Sequence, residues 1–395
     1  MTDPLGQSQV IPYLKKLSAQ GYQFTILSVE KKDKFEKNGS LIRKILSEAG
    51  IQWETLFFTS SPPVLSKIYD QNRLNAKARQ LHSAHKFDFI HCRSYVAAAA
   101  ALKLKKKTGV PFLFDMRGFW VDERVDSGLW NLSNPLYNLF YKTYKRKEKN
   151  YFAASAHIIS LTEKGKQELV KNYNVTAEKV TVIPCCADLA HFDFNRFTAG
   201  QKNELRNEWG IGSGTKIISY LGSLGGWYMT DEMLDFYAIM RKQISNTRFL
   251  FITHDAREKI VALAATKGIP EEEILVKPAS REQVPLFLSI SNWAVFFIKD
   301  LYSKKASSPT KQGEIMGMGV PLICNDIGDT GSIVEKTKTG AVIDGFNETV
   351  YKNVAGKMNE LEQIAKQHIR ESAFAYYDLE KGAESYLLSY KEVLK

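Results

Sequence analysis

The apolar positions along this chain follow two periods in alternation. Short runs rich in Val, Ile and aromatic residues read as buried strands at 24–29 (FTILSV), 53–58 (WETLFF), 87–91 (FDFIH), 111–115 (PFLFD), 157–160 (HIIS) and 180–184 (VTVIP). Between them lie stretches with helical spacing at 9–19, 41–48, 65–83, 95–107 and 136–152. The first is the plainest, with Val10, Tyr13, Leu14 and Leu17 on one face. A second series has strands at 216–221, 248–253, 274–276, 293–298 and 322–324, with helices opening near Thr230 and Thr310. Residues 361–394 close the chain as helix. Strand and helix alternating in this way predict parallel sheets covered by helices. The fold class is α/β, with two Rossmann-like doubly wound domains.

The domains are expected at 1–184 and 211–372, with a linker at 185–210 and a terminal helix at 373–395. The beginning is unusual. Asp3 to Ser8 read as a loop leading directly into the helix at 9–19. A doubly wound domain carries a strand ahead of that helix. The first sheet is therefore expected to lack one strand, and the chain to start downstream of it.

Composition narrows the picture modestly. A length of 395 residues with 44% hydrophobic and 25% charged residues suits a two-domain globular protein. The first 30 residues lack a secretory leader, and the longest apolar run, 95–102, is too short to span a bilayer. Cys92, Cys185, Cys186 and Cys324 lack metal-ligand spacing and read as free thiols, which fits a cytoplasmic protein. Net charge is +11, which suits anionic partners without choosing among them.

The richest stretch for chemistry is 307–325, SSPTKQGEIMGMGVPLICN. It reads as a loop after strand 293–298, an N-cap at Thr310, a helix through Glu314 to Met318, and Gly319 in the left-handed position. The helix N-terminus then opens at the carboxyl end of a strand, where open α/β sheets bind ligands and where anions are favoured. Lys311 puts a cation in that first turn, an unfavourable place unless an anion visits. Glu314, one turn in, can accept two hydrogen bonds from a ribose diol. Gly317 and Gly319 would let the helix lie close to the sheet. Gly222, Gly225 and Gly226 form a glycine-rich loop after the first strand of the second domain. Asp115, Arg117 and Gly118 follow strand 111–115, with His91 and Arg93 past its neighbour. Asp115 and Arg117 read equally well as a loop-holding ion pair or as functional groups. His91 reads more readily as a core histidine. Helix 136–152 interleaves aromatics with bases. It reads as a membrane-surface helix or, with the edge, as a core-facing helix with solvated lysines.

These motifs resemble glycosyltransferase family 4, enzymes of the GT-B fold. Members carry Glu, seven residues, Glu, then Gly-x-Pro-Val/Leu-Ile. Here the second Glu is Glu314 and the first is replaced by Ala306, so Ser-Pro-Thr-Lys-x-x-Glu marks the nearer subgroup. The interdomain segment VIPCCAD likewise resembles the family's Val-Ile-Pro-Asn-Gly-Val-Asp. The resemblance implies an interdomain cleft and a terminal helix crossing back to the first domain. It implies an N-terminal acceptor domain with Gly6, His91, Arg93 and Gly118 on the acceptor side. It assigns the donor nucleotide sugar to Gly222, Gly225, Gly226, Ser308, Thr310, Lys311 and Glu314, and chemistry to Asp115, Arg117 and Lys311. It implies retention at the anomeric carbon, no metal, and no cofactor beyond the nucleotide diphosphate sugar as co-substrate. The acceptor would be a glycan or polyprenyl-linked glycan used in cell-surface polysaccharide synthesis, at the inner face of an anionic membrane and without nucleic acid. Two alternatives stay open: a nucleotide-sugar 2-epimerase of the same architecture, and a basic membrane- or nucleic-acid-binding protein without catalysis.

Overall fold

The computed structural model describes residues 1–395, leaving aside the side chains of Pro63 and Val64. The strands are β1 Thr25–Glu30, β2 Gln52–Phe57, β3 Ile90–Arg93, β4 Phe112–Asp115, β5 His157–Ser160, β6 Val180–Val182, β7 Lys216–Leu221, β8 Thr247–Ile252, β9 Ile274–Lys277, β10 Trp293–Phe296, β11 Leu322–Asn325 and β12 Gly340–Ile343. All pair in parallel. The chain divides into two compact units, residues 1–184 with 379–395, and residues 185–378.

The second unit has one six-stranded sheet in the order β12-β11-β10-β7-β8-β9. Renumbered from β7, this is the doubly wound order 3-2-1-4-5-6, with its first strand at the centre. The central strands β7, β8, β10 and β11 are almost wholly buried, as expected for apolar runs covered on both faces. β12, with the short helices Thr330–Thr337 and Glu348–Ala355, was not anticipated from the hydrophobic pattern.

In the first unit the strands are divided between two sheets. β1 pairs only with β2, and β3 to β6 form a separate four-stranded sheet. Among the described residues no strand stands ahead of β1. Ile26 and Leu27 of β1 are only half-buried and Val29 is exposed, whereas every residue of β4 is buried. Aromatic rings fill part of the space. Tyr390, on the last helix Leu379–Val393, packs against Tyr22 and Phe24 ahead of β1, and against Phe89 and His91 at β3.

The expected loop at Asp3 to Ser8 is instead a helix, Pro4–Gln9, continued after Val10 by Ile11–Ala19. Pro4 suits the first helical turn. The segment ahead of it is tied down, because the Met1 ammonium and the Thr2 N–H and hydroxyl all bond to the Glu30 carboxylate. These donors hold Glu30 well below the usual carboxylate range against the opposing effect of burial, at about 2. Gly6 serves this closure, since a Cβ there would meet the Met1 carbonyl oxygen at 2.6 Å. The helix expected at 41–48 begins earlier, at Lys32.

Candidate functional site

In the second unit the carboxyl end of β10 leads through Ile298 toward helix Thr310–Gly317. The Asn325 side chain at the end of β11 braces this exit. It accepts from the Ile298 N–H at 2.9 Å and donates to the Ile298 carbonyl at 2.7 Å. A 3-10 turn, Tyr302–Ala306, follows. Ala306, where the family pattern has its first Glu, is fully buried, so that position faces packing. The expected cap at Thr310 is not formed. Thr310 is the first helical residue, Pro309 takes the cap position with φ of −74°, and no side chain caps the first turn. The proline ring pre-sets that backbone angle but supplies no side-chain acceptor in place of a hydroxyl.

The helix glycines approach other elements than the sheet. A Cβ at Gly313 would meet Tyr377 at 2.8 Å, one at Gly317 would meet Leu189 and Phe192 at 2.9 Å, and one at Gly319 would meet Lys366 at 2.7 Å. The Ser308 hydroxyl accepts from the Cys185 N–H at 3.2 Å. Helix Thr310–Gly317 is thus wedged against residues 185–192 and the helix Lys366–Tyr377.

Lys311 is 9% exposed. Its Nζ donates to the Tyr220 hydroxyl at 3.1 Å and lies over the rings of Tyr220 and Tyr228, at 4.3 and 3.6 Å from their centroids. Burial pushes the ammonium down to about 7, although Glu314 pulls the other way. Among the described residues it makes no ion pair. Glu314, one turn along the same face, is 15% exposed and has Arg281 as its nearest cation at 4.0 Å. Burial raises its pKa, partly offset by Arg281 and Lys311.

The glycine-rich loop reaches Lys311 through Gly222. Gly222, Gly225 and Gly226 have φ of 109°, 71° and 61°, in the region where L side chains are strained. A Cβ at Gly222 would meet Lys311 Nζ at 2.9 Å. The loop is fixed by Tyr220 donating to the Ser223 carbonyl (2.5 Å), by the Leu224 N–H donating to Asp255 (2.6 Å), and by the Lys299 N–H donating to the Trp227 carbonyl (2.9 Å). Trp227 in turn lies 3.5 Å beneath the Lys304 ammonium. Sequence reasoning missed Arg281, Tyr220, Tyr228, Asp255 and Lys304, because each reaches the helix or the loop from another element. The resulting set is a buried cation and a partly buried carboxylate, about 4.5 Å apart along a helix axis, at the carboxyl ends of β7 and β10. A phosphate-bearing ligand with a neighbouring diol fits that chemistry.

The first unit has a different cluster. Asp115 is fully buried at the end of β4. Its Oδ2 accepts from Arg93 Nη1 at 3.1 Å and from the Tyr386 hydroxyl at 3.0 Å, and Arg117 lies 3.5 Å from Oδ1. His91 is 3.6 Å away and its other ring nitrogen bonds the Tyr390 hydroxyl at 2.8 Å. Burial alone would raise the Asp115 pKa, but Arg117, His91 and Arg93 outweigh it and hold the carboxyl far below its ordinary range. Arg117 and Gly118 both have positive φ, 58° and 119°, and the Gly118 carbonyl accepts from Tyr95 at 3.1 Å. The structure therefore brings Asp115, Arg117, Arg93 and His91 together, and adds Tyr386 and Tyr390 from a helix more than 250 residues on. Gly6 is not part of that set of contacts.

The chain is similar to known proteins over both units. Residues 8–191 match the profile of Glycosyltransferase Family 4, and residues 201–373 that of Glycosyl transferases group 1. Among curated proteins, the D-inositol 3-phosphate glycosyltransferases of Nocardia farcinica and Rhodococcus opacus are 21% and 20% identical, each over 62% of this chain. The match spans only about half the length of these relatives, 55% in both cases. Among solved structures, a glycosyltransferase from Rickettsia africae superimposes with a TM-score of 0.73 at 17% identity, covering 99% of this chain and 97% of that one. Anabaena Alr3699/HepE in complex with UDP and glucose gives 0.69 at 12% identity, covering 99% and 96%.

Proposed function

Since this chain belongs to glycosyltransferase family 4 and has its GT-B fold, we propose that it transfers a sugar, with retention, from a nucleotide diphosphate sugar to a glycan or lipid-linked acceptor. The observation that carries this reading is the placement of Lys311 and Glu314 one turn apart on helix Thr310–Gly317, with Gly222 against the Lys311 ammonium. Lys311 takes the diphosphate, and Glu314 takes the ribose diol. The glycine loop supplies backbone N–H groups to the phosphates. Arg281 adds positive charge that the loop itself lacks. As the glycosidic bond to the donor breaks, negative charge grows on the departing diphosphate, and a cation already in place stabilises it. UDP is the first nucleotide to try, because UDP is bound in the Anabaena relative.

On the acceptor side we assign Arg93 and Arg117 to anionic or hydroxyl groups of the acceptor, with Asp115 as the residue that positions them. Helix Pro135–Ala154 would bring this unit to an anionic membrane. Leu136 and Leu139 are exposed there, followed by exposed Lys142, Arg146, Lys147 and Lys149, which suits a lipid surface. Co-sedimentation with phosphatidylglycerol vesicles tests this directly, and Leu139→Glu should abolish it.

The nucleotide reading is tested by melting the protein with UDP, GDP, ADP, CMP and dTDP, followed by calorimetry on the best ligand. Glu314→Ala should weaken binding by about 1.5–3 kcal/mol, the range for hydrogen bonds to a charged group. An unchanged affinity would remove Glu314 from the ribose.

A further inference from the structure

The opposite end of the second unit's sheet holds a second cavity, of about 390 Å³, at the amino-terminal ends of β7 and β10. Lys202, Arg206, Lys216 and Lys366 line it, with Thr215 and Ser291. Four cations on one cavity call for an account of their partners. Lys216 is matched by Glu362, at 2.5 and 2.7 Å. Arg206 donates to the carbonyls of Gly212 and Thr215, at 2.6 and 2.7 Å, and so keeps its full charge. Lys202 and Lys366 form no ion pair among the described residues. Lys366 opens helix Lys366–Tyr377, and Ala199, also on the cavity wall, opens helix Ala199–Glu208. Cations in the first turns of helices oppose the helix dipole. Desolvation depresses both lysines, and at Lys366 the charge of Lys202 adds to this while Glu362 opposes it. The Ser291 hydroxyl is buried, on a residue 5% exposed, and has no hydrogen-bond partner.

We propose that this cavity is an anion site for the phosphate group of a small phosphorylated molecule, held by Lys202, Lys366 and the Ser291 hydroxyl. One dianionic phosphate would relieve the repulsion between the lysines, complement the uncapped N-terminus of helix Lys366–Tyr377 and satisfy the orphaned hydroxyl. The volume exceeds what a phosphate ion fills and lies within the range of small-molecule sites. Its polar walls suit a hydroxyl-rich remainder such as a sugar. The site is separate from the Lys311–Glu314 pair, because β7 begins at the cavity with Lys216 and ends at the Gly222 loop with Leu221, about 17 Å on.

The test is calorimetry and thermal melting of the full chain with glucose 6-phosphate, glucose, inorganic phosphate and phosphatidylglycerol vesicles. The wild type is compared with Ser291→Ala and with the double variant Lys202→Ala/Lys366→Ala. Glucose 6-phosphate should bind at least tenfold more tightly than glucose. The double variant should lose at least tenfold, and S291A should lose affinity without losing a charge. Binding of inorganic phosphate with the same variant dependence would support the phosphate as the recognised group. Binding only to vesicles would overturn the small-molecule source and leave a lipid headgroup in its place. Failure of all probes, or equal binding by the double variant, would overturn the site. UDP binding measured on the same samples keeps this result apart from the nucleotide reading.

Discussion

Two buried charge clusters, one in each unit, solve opposite problems. In the first unit the Asp115 carboxylate is surrounded by Arg93, Arg117, His91 and the Tyr386 hydroxyl, and its negative charge is thereby held firmly. In the second unit Lys311 is buried and Glu314 mostly buried, but they meet aromatic rings and a guanidinium 4.0 Å away rather than each other. The first cluster draws its counter-charges from within the folded chain. The second carries a desolvation cost that the chain alone does not offset, so both groups shift toward neutrality. A buried charge with counter-charges around it anchors structure, whereas one without them is free to bind.

The comparison breaks first at Asp115. Asp115→Ala leaves two arginines beneath a tyrosine with no counter-charge, and should cost about 3–5 kcal/mol of stability in urea unfolding. A loss of less than 1 kcal/mol would show that the cluster does not anchor the unit. Lys311→Met should behave in the opposite way. Transfer should fall by about 10²–10³ in kcat, the scale for losing one preorganised charge-stabilising group, while the protein melts higher because no ammonium has to be buried. A lower melting temperature would contradict the account.

The pH dependence sharpens the same contrast. The folded Lys311 titrates at about 7, below its unfolded value. Between those values the unfolded chain binds more protons, so this group makes stability rise with pH above about 7. The rise should be absent in Lys311→Met. Diphosphate binding near pH 8 should take up a proton, readable as a buffer-dependent heat. The smallest effect concerns the two sheets. The amides of β1 and β2, in a two-stranded ladder, should exchange at least tenfold faster than those of β7 and β8.

The strands were legible because their apolar runs match the burial they meet. β7, β8, β10 and β11 lie within a residue or two of their expected places. β12 escaped because Gly340–Ile343 is short and opens with a glycine pressed against the Leu322 carbonyl of β11, a fit decided by the neighbouring strand. The early start of helix Lys32–Glu48 escaped because residues 32–40 are polar apart from Phe35. At the site, Lys311 and Glu314 stood out because their chemistry is local to one helix. Tyr220, Tyr228 and Arg281 did not, since nothing in the spacing of an aromatic on β7 or a base after β9 tells which distant helix it will touch. The Asp115–Arg117 pair was visible for the same local reason, and Tyr386 was hidden by the long stretch of chain between them.

The last helix, Leu379–Val393, has a consequence for the order of biosynthesis. Tyr386 completes the Asp115 cluster and Tyr390 fills the space beside β1 and β3, yet both leave the ribosome after the whole second unit. Chains usually fold their N-terminal domain first during synthesis. Here the first unit has to wait, with a buried-charge cluster open and an aromatic slot empty, while the second unit is finished ahead of it. The nascent chain therefore spends most of its translation time with its earlier half incomplete, and that half is where chaperones should be found bound.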